Sequence, residues 1–386
     1  MYPYSRQKVE KDDIKAVIKV LKSDFLTQGE NVPKFEKAIS KKFNTKYALA
    51  TNSGTSALHV ACIAIGLTKN DIVWTSANSF VASINCAKYL GAKVDFVDID
   101  PNSYNLSVND LKKKLEFAKK KKKLPKLIVV VHFAGQPADL KKIYKLSKIY
   151  KFKIIEDASH AIGAKYNGSF IGNCKYSNIT VFSFHPVKII TSGEGGMCLT
   201  NNKLLNEKMD LLRTHGITKN KKKFFKKKNI GPWYYEQLSL GYNYRMSDIH
   251  AALGISQLKK LNYFVNERNR LAKNYYNLLQ NLPITLPKIF KGNKSSFHLF
   301  VIKIKLDKVK NKYYQIFNFL RKKKIWVNLH YLPIYSQPFY RKIFKKKIFL
   351  KNTEKYYRSA LSIPIYPGLK LKDQIYISKK LKEILL

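Results

Sequence analysis

Acidic residues are scarce in this chain of 386 residues, which carries 25 of them against 73 lysines and arginines, for a formal net charge of +48. So large a positive charge is common in proteins that bind nucleic acids. Only eight of the basic residues are arginine, however, and the rest are lysine, accompanied by abundant Ile, Asn, Tyr and Phe. Because these residues share A/T-rich codons, we attribute the charge to codon bias and expect no nucleic-acid partner. The lysine runs at 119–123, 219–228 and 345–347 are expected at the surface, where a positive field would still speed capture of an anionic substrate.

Cysteine and long apolar runs are also in short supply. The four cysteines are Cys62, Cys86, Cys174 and Cys198. No two of them form a CxxC pair, so the sequence predicts neither a metal site nor a disulfide framework. The apolar run 127–131 is far shorter than the ~20 residues that a membrane span needs. Residues 1–6 lack the apolar core of a secretion signal, so we expect a cytoplasmic protein with no membrane partner.

Short apolar segments alternate with helical patterns from residue 47 to residue 200. The predicted strands are 47–50, 72–76, 93–98, 126–132, 152–155, 180–184 and 196–200, and the predicted helices 7–22, 34–43, 56–66, 81–90 and 140–150. Repeated βαβ units predict an α/β fold whose mostly parallel central sheet is covered by helices on both faces. Such sheets bind ligands at the carboxyl ends of their strands.

The pattern changes near residue 250. Two long helices are predicted at 249–261 and 265–282, and prolines 283 and 287 follow. Beyond them, apolar segments at 297–304 and 326–330 flank a predicted helix at 313–324. We therefore expect a large domain over 1–250, whose N-terminal segment can pack on the second domain, and a smaller C-terminal α+β domain over 251–386.

Two strand ends carry a pair of residues that one chemistry needs together. Asp157 follows the apolar strand 152–155, and Lys188 follows the strand 180–184 and precedes the glycine-rich residues 193–196. Pyridoxal 5′-phosphate (PLP) is held by a lysine amine as a Schiff base, while a carboxylate keeps its pyridine nitrogen protonated. Each residue alone has an ordinary alternative, as a solvated lysine or as a helix-capping aspartate.

A possible phosphate seat lies at residues 51–57, where a strand passes into a helix. Gly54 permits a tight turn, and Thr55 and Ser56 bring hydroxyl and backbone N–H groups to the helix start, which favours an anion. Simple N-capping is the alternative. Ser183, five residues before Lys188, has a hydroxyl that could join the same phosphate.

Two further side chains are candidates for the cofactor ring. Phe80 could lie flat on the ring, although core packing is its ordinary role. His160 is three residues after Asp157 and would come within reach of the 3′ oxygen of the ring if a helix begins there. A lone histidine is more often structural.

Together these features resemble the DegT-like sugar aminotransferases, PLP enzymes of fold type I that aminate nucleotide-linked keto-sugars. The resemblance covers essentially the whole chain and runs, in order, through residues 24–29, 53–59, 156–158, 183–188, 193–196, 241–246 and 361–364. It implies an aspartate-aminotransferase-like fold. It also implies that Lys188 forms the Schiff base, that Asp157 meets the pyridine nitrogen, that Phe80 stacks on the ring and that His160 lies near it.

The resemblance implies further roles around the phosphate and the substrate. Thr55, Ser56 and Ser183 match phosphate ligands, with Gly54 in the same turn. Asn243 matches an asparagine that reaches the phosphate from the second subunit, which implies a homodimer with active sites at its interface. On sequence alone Asn243 would be a turn residue. The candidate substrate residues are Thr27, Arg245, His330 and Tyr331.

The intact Lys188 favours transamination over dehydration, because related dehydratases carry histidine in its place. Residues 4–7, 132–137, 185–188, 231–237 and 328–331 resemble the branch of the family that aminates UDP-2-acetamido-2,6-dideoxy-β-L-arabino-hex-4-ulose in pseudaminic acid biosynthesis, with glutamate as donor. The alternative that the substrate is another keto-sugar on a UDP, dTDP or GDP carrier stays open. So do a PLP-binding regulator and, more remotely, a basic nucleic-acid-binding protein with a vestigial enzyme fold.

Overall fold

The computed structural model describes residues 1–225, 231–344 and 346–386. The strands are β1 (Tyr2–Pro3), β2 (Tyr47–Thr51), β3 (Ile72–Ser76), β4 (Lys93–Val97), β5 (Leu127–Val131), β6 (Lys153–Asp157), β7 (Lys165–Tyr166), β8 (Ser169–Phe170), β9 (Ile179–Ser183), β10 (Gly196–Thr200), β11 (Ile217–Thr218), β12 (Glu236–Gln237), β13 (Ile284–Thr285), β14 (Phe300–Ile304), β15 (Ile325–Trp326) and β16 (Ala360–Ile363).

The helices complete the element order. They are α1 (Lys11–Leu21), α2 (Asn31–Phe43), α3 (Gly54–Ala64), α4 (Ala82–Lys88), α5 (Val108–Lys120), α6 (Leu140–Tyr150), α7 (Lys203–Arg213), α8 (Asp248–Lys259), α9 (Leu261–Leu279), α10 (Tyr313–Lys322), α11 (Pro338–Ile343), α12 (Lys351–Tyr357) and α13 (Leu371–Leu385). Short 3₁₀ turns occupy Phe133–Gly135, Lys221–Lys223, Leu306–Lys308 and Ile334–Ser336.

A seven-stranded sheet with the order β2-β10-β9-β6-β5-β3-β4 forms the centre of the molecule. Strand β10 runs antiparallel to β2 and β9, and the other neighbouring pairs are parallel. The predicted α/β fold with a mostly parallel sheet is therefore confirmed. Gly196 at the start of β10 pairs with Thr51 on one side and Ser183 on the other. The ends of β2 and β9 are thereby brought to the same edge of the sheet.

Helices cover both faces of this sheet, as its apolar strands require. All five residues of β5 are buried, and they alternate between two hydrophobic cores. Ile128 and Val130 face the core that includes α2, α6 and α8, whereas Leu127 and Val129 face the core that includes α3 and α4. Burial on both faces explains why this strand is a continuous apolar run rather than an alternating one.

A smaller antiparallel sheet, β13-β14-β16, packs against α9, α10 and α13. The predicted domain boundary at residue 250 stays a prediction. The hydrophobic core of the large sheet and that of the small sheet both include residues of helix α9. Val265 of α9 belongs to a core of the large sheet, and Leu271 belongs to the core of the small sheet. At the other end of the chain, β1 pairs in parallel with β15.

Several predicted boundaries are wrong by a few residues. The first helix begins at Lys11 rather than residue 7, because Glu10 and Asp13 form a capping box there. The predicted strand 326–330 shortens to β15, and the residues after it contact the loop after β3, where the N–H of Tyr331 donates to Asn78 at 3.2 Å. The predictions also leave out α5 and α7.

The lysine runs are exposed, as expected, over 119–123, 221–223 and 346–347. Residues 226–228 and 345 of those runs lie outside the described residues. In the described part of the chain, none of the helices has both the length and the apolar content that a bilayer crossing requires.

Candidate active site

A cavity of about 860 Å³ lies at the carboxyl ends of the parallel strands. Most of the predicted site residues line it: Gly54, Thr55, Phe80, Asp157, His160, Ser183, Lys188, His330 and Tyr331. The remaining predictions do not line it within this chain: Thr27, Ser56, Asn243 and Arg245. Residues from α3, from the loop after β3, from β6 and from the C-terminal part of the chain therefore meet in one place.

Lys188 presents a free amine to this cavity. Its backbone N–H donates to the carbonyl of His185 at 2.9 Å, which folds the loop after β9 into a turn. Burial lowers the pKa of Lys188 to about 8, and the nearby charge of Asp157 opposes that shift. Among the described residues, no group accepts a hydrogen bond from its Nζ atom. About half of the amines would be neutral at pH 8, as a nucleophile or a base requires.

Asp157 is the last residue of β6 and is only 5% exposed. Its Oδ2 atom accepts a hydrogen bond of 2.6 Å from the hydroxyl of Ser83, and its Oδ1 atom accepts one of 3.1 Å from the N–H of Ser159. A carboxylate can accept about four hydrogen bonds, so capacity remains for a protonated ring nitrogen. The sequence reading missed Ser83, because its role depends on the packing of α4 over β6.

The start of α3 combines a capped helix end with an unusually close approach. Ser53 and Ser56 cap each other, with both N–H to hydroxyl distances at 3.1 Å. The Ser56 hydroxyl also donates to Asn52 at 2.5 Å, so it serves the cap and does not line the cavity. A Cβ atom on Gly54 would lie 2.9 Å from the Cβ atom of Ser183. Glycine therefore allows the helix N-terminus to approach β9.

His160 lines the cavity from a turn, whereas the sequence-based prediction placed it at the start of a helix. Its Nδ1 atom accepts the N–H of Ala134 at 3.3 Å, and its Nε2 atom lies 3.2 Å from the hydroxyl of Tyr331. Burial lowers the pKa of His160 well below its usual value, and Lys188 and His330 add to the shift. The ring is therefore neutral, with its proton on Nε2.

His330 and Tyr331 form the wall contributed by the C-terminal part of the chain. The Nδ1 atom of His330 lies 2.8 Å from the Ser362 hydroxyl, and its ring centroid lies 4.8 Å from that of Tyr4. Burial, and to a lesser degree Lys188, lowers the pKa of His330 to about 3. Burial raises the pKa of Tyr331. Both side chains therefore stay neutral and offer hydrogen bonds without charge.

The sequence reading missed several other residues of the cavity wall. They are Tyr4, Asn52, Ser53, Ser159, His185, Glu194, His250 and Asn328. Some lie within motifs that the reading recognised, but their individual roles had no separate signal. His185 and Glu194 approach each other to 4.0 Å.

Besides Ser56, three other predicted site residues do not line the cavity. Asn243 and Thr27 are exposed, and Arg245 is half-buried. The backbone carbonyl of Asn243 accepts a weak hydrogen bond of 3.4 Å from Asn52, a residue of the cavity wall. Asn243 therefore lies beside the phosphate seat of its own chain with its side chain turned to the surface.

The residues present fit PLP. The capped N-terminus of α3 and Ser183 offer donors for a phosphate. Phe80 is 58% exposed although it lines the cavity, so a face of an apolar ring is available for stacking. Asp157 supplies the acceptor for a ring nitrogen and Lys188 the free amine. The volume falls in the range of roughly 300–1,000 Å³ that ligand pockets occupy.

Comparison with known proteins agrees with this reading. Residues 7–382 match the DegT/DnrJ/EryC1/StrS aminotransferase family. The chain is 38% identical over 387 residues to a UDP-4-amino-4,6-dideoxy-N-acetyl-beta-L-altrosamine transaminase of Campylobacter jejuni, with 100% of this chain and 98% of the relative covered. A similarly named transaminase of Helicobacter pylori is 34% identical over 377 residues, with coverages of 96% and 94%.

Solved structures give the same result. The structure of Helicobacter pylori PseC, an aminotransferase involved in the biosynthesis of pseudoaminic acid, matches with a TM-score of 0.90 at 32% identity, covering 100% of this chain and 99% of the other. Together with the cavity, these matches identify the chain as a member of the DegT/DnrJ/EryC1/StrS aminotransferase family, a sugar aminotransferase that depends on PLP.

Proposed function

We propose that this enzyme aminates a nucleotide-linked 4-keto-6-deoxy sugar through Lys188 and Asp157, with L-glutamate as the amino donor. The observation that carries the proposal is that these two side chains line one cavity, the first as a free amine of lowered pKa and the second as a hydrogen-bonded carboxylate. A site with those two groups in separate cavities would not support it.

PLP, when bound, supplies an electrophilic aldehyde carbon and a ring that accepts electrons. The N-terminus of α3, with Thr55 and Ser183, would hold the phosphate group, and Phe80 would pack on one face of the ring. Asp157 would accept a hydrogen bond from the protonated ring nitrogen, and the hydroxyl of Ser83 donates to that carboxylate and keeps it in place. These residues fix the orientation of the cofactor against Lys188.

Lys188 moves the proton. Its Nζ atom would hold the cofactor aldehyde and would be free to act once a donor amine is bound. The free amine, neutral in part near pH 8, takes the proton from the α-carbon of glutamate and later gives a proton back. The neutral His160, held by Ala134 and Tyr331, adds no competing positive charge beside it.

For the acceptor we propose UDP-2-acetamido-2,6-dideoxy-β-L-arabino-hex-4-ulose, which would place the enzyme in pseudaminic acid biosynthesis. Support comes from the names of the Campylobacter and Helicobacter relatives and from the PseC structure. The net charge of +48 would favour the encounter with a diphosphate. Neutral hydrogen-bonding groups at His330 and Tyr331 suit a sugar, whereas Thr27 and Arg245 lie away from the cavity within one chain.

We further propose a cytoplasmic homodimer in which the second subunit completes each site through Asn243. Large apolar side chains are exposed on the single chain near that residue in sequence, including Trp233 at 75% and Leu240 at 78%. Exposed apolar groups of this kind mark association surfaces. The free state of the four cysteines suits a reducing compartment.

The substrate is tested with purified enzyme, glutamate and a panel of keto-sugars on UDP, dTDP and GDP carriers. We expect turnover of the UDP-linked sugar and none with Lys188→Ala. Turnover of only a dTDP- or GDP-linked sugar would reject the substrate assignment and keep the aminotransferase assignment.

Shared sites are tested by mixing subunits. Lys188→Ala is expected to be inactive and Asn243→Ala weakly active, and random reassortment of the two should restore about a quarter of the sites, because one site of each mixed dimer carries neither change. No recovery on mixing, with dimers shown to exchange, would reject the role of Asn243 across the interface.

A further inference from the structure

Arg268, in the middle of α9, is a fully buried cation. In the described part of the chain, no carboxylate forms an ion pair with it, and its Nε atom has no hydrogen-bond partner. Burial of an unpaired charge is costly unless hydrogen bonds compensate for the lost water. The contacts that this guanidinium does make therefore show what it holds in place.

Three of those contacts are backbone carbonyls from two separate segments. Nη1 donates to Phe297 at 3.2 Å, to His298 at 3.3 Å and to Ile365 at 2.8 Å. The first two carbonyls precede β14 and the third follows β16. One guanidinium therefore joins segments that flank β14 and β16, two of the three strands of the small sheet.

The fourth contact leads to the active site. Nη2 of Arg268 donates to the hydroxyl of Ser5 at 3.3 Å, and that hydroxyl donates to the carbonyl of Val187 at 2.9 Å. Ser5 is buried, and Val187 both lines the cavity and directly precedes Lys188. A continuous chain of hydrogen bonds thus runs from α9 through the N-terminal segment to the backbone that carries the amine.

The same network also reaches His160 and Tyr4, two other residues that line the cavity. The ring of His298, whose carbonyl Arg268 holds, lies with its centroid 4.3 Å from that of His160. Tyr4, the neighbour of Ser5, lines the cavity, and its carbonyl accepts the N–H of Ile365 at 3.1 Å. The buried cation therefore supports the cavity from two sides.

We propose that Arg268 and Ser5 are positioning residues that fix the backbone at Val187, so that the amine of Lys188 keeps its position in the cavity. This inference rests on the proposed role of Lys188. The guanidinium suits the task because its rigid fork can donate to several carbonyls and a hydroxyl at once, which a lysine ammonium cannot reproduce.

The test measures the amine directly, in the full-length protein without cofactor. Every lysine is labelled competitively with acetic anhydride across a pH series, and peptide mass spectrometry gives a titration curve for each one. The variants are Ser5→Ala and Arg268→Lys, with Ser5→Thr as the version that keeps the hydroxyl. Arg270→Lys is the matched control, since Arg270 lies on the same helix, exposed, and pairs with Glu267 at 2.8 Å.

We expect Lys188 to titrate near pH 8 in the wild type and about one pH unit higher in Ser5→Ala and Arg268→Lys, because a loosened backbone lets water reach the amine. Labelling of Lys188 at pH 7 should then fall about tenfold. The charged and titratable groups that interact with this amine are Asp157, His160, His298 and His330, and neither substitution changes them. Ser5→Thr and Arg270→Lys should match the wild type.

An unchanged Lys188 curve in Ser5→Ala would overturn the inference, and so would equal shifts for all lysines together with a lower melting temperature. If Arg268→Lys fails to fold, the comparison of Ser5→Ala with Ser5→Thr still tests the proposed positioning role. Failure of the proposed function looks different. In that case the cofactor-loaded Lys188→Ala enzyme would keep its turnover, whatever the labelling curves of the cofactor-free variants show.

Discussion

The cofactor half and the substrate half of the cavity differ in how completely one chain builds them. In the cofactor half, Asp157 and Ser183 end two strands of one sheet, Lys188 lies in the loop after β9, and all three line the cavity. In the substrate half, His330 and Tyr331 line it, whereas Thr27 and Arg245 do not. The groups proposed for the chemistry, Lys188 and Asp157, therefore meet within one chain. Both halves leave predicted residues outside the cavity of one chain, Asn243 for the cofactor and Thr27 and Arg245 for the substrate, and the proposed second subunit would have to complete them.

The difference also appears in the electrostatics. The cofactor half holds the buried carboxylate of Asp157 and the Lys188 amine, whose pKa burial lowers to about 8. The side chains of His330 and Tyr331 in the substrate half are neutral, because burial shifts the pKa of each away from its charged form. The ionisable pair proposed for the chemistry therefore lies in one half, and neutral hydrogen-bonding groups lie in the other.

Removal of the amine should have the largest effect. Lys188→Ala is expected to lower kcat by about 10³-fold or more, since both the attachment point and the proton carrier are lost. Arg245→Ala should instead raise KM for the keto-sugar and leave cofactor binding unchanged. Steady-state kinetics and cofactor titration of both variants measure this difference. An equal loss of cofactor affinity in Lys188→Ala and Arg245→Ala would contradict the division of the cavity into a cofactor half and a substrate half.

Loss of the carboxylate should come second. Asp157→Asn is expected to lower kcat by about 10²-fold, because a buried charged partner of the ring nitrogen is replaced by a neutral one. Ser83→Ala removes one hydrogen bond from the same carboxylate and should cost about tenfold. If Ser83→Ala proved as damaging as Asp157→Asn, the serine would have a direct role that the geometry does not assign to it.

Gly54→Ala tests the close approach at the phosphate seat. The added Cβ atom would lie 2.9 Å from that of Ser183, so the helix start must move. Overpacking of this kind costs about 1–3 kcal/mol, which should weaken cofactor binding about tenfold or more. Gly66→Ala, at a position with open space on the same chain, controls for general instability, although its positive φ of 80° adds backbone strain. Equal cofactor affinity in Gly54→Ala and the wild type would contradict the proposed role of this turn in phosphate binding.

The pH dependence of cofactor capture should follow the Lys188 amine. Its pKa is lowered to about 8, and only the neutral form attacks an aldehyde. Stopped-flow absorbance should therefore show a capture rate that rises about tenfold per pH unit below pH 8 and levels above it. An amine with an ordinary pKa would continue to gain up to about pH 10.4. A rise that persists beyond pH 9 would contradict the proposed burial of Lys188.

The free energy of unfolding of the cofactor-free protein should rise with pH between about pH 8 and about pH 10.4. The unfolded chain binds a proton at this lysine up to about pH 10.4, whereas the folded protein releases it near pH 8. Because the unfolded state binds more protons between these values, this residue makes folding more favourable as pH rises through them.

Much of the fold and of the cofactor half could be predicted from the sequence, because the signals are local. The run 127–131 is apolar on both faces of its strand, and Asp157 and Ser183 end strands that the pattern defines. Helix α5 escaped prediction because only Leu111, Leu115 and Ala118 mark its buried face among many lysines.

The missing parts of the site depend on packing between distant segments. Ser83 meets Asp157 across 74 positions of the sequence, and Ser5 meets Val187 across 182. Such contacts leave no spacing pattern in a single chain. The Ser56 prediction shows the opposite problem, because its hydroxyl could serve either a phosphate or a helix cap, and the structure assigns it to the cap.

The most direct test is to map where PLP attaches. The protein is incubated with PLP, the linkage is reduced with borohydride, and the modified peptide is identified by mass spectrometry. Selectivity is informative here because nearly all of the 73 basic residues are lysine. The account predicts one stoichiometric adduct on Lys188, lost in Lys188→Ala. An adduct on another lysine, or one spread over the surface lysines, would contradict it.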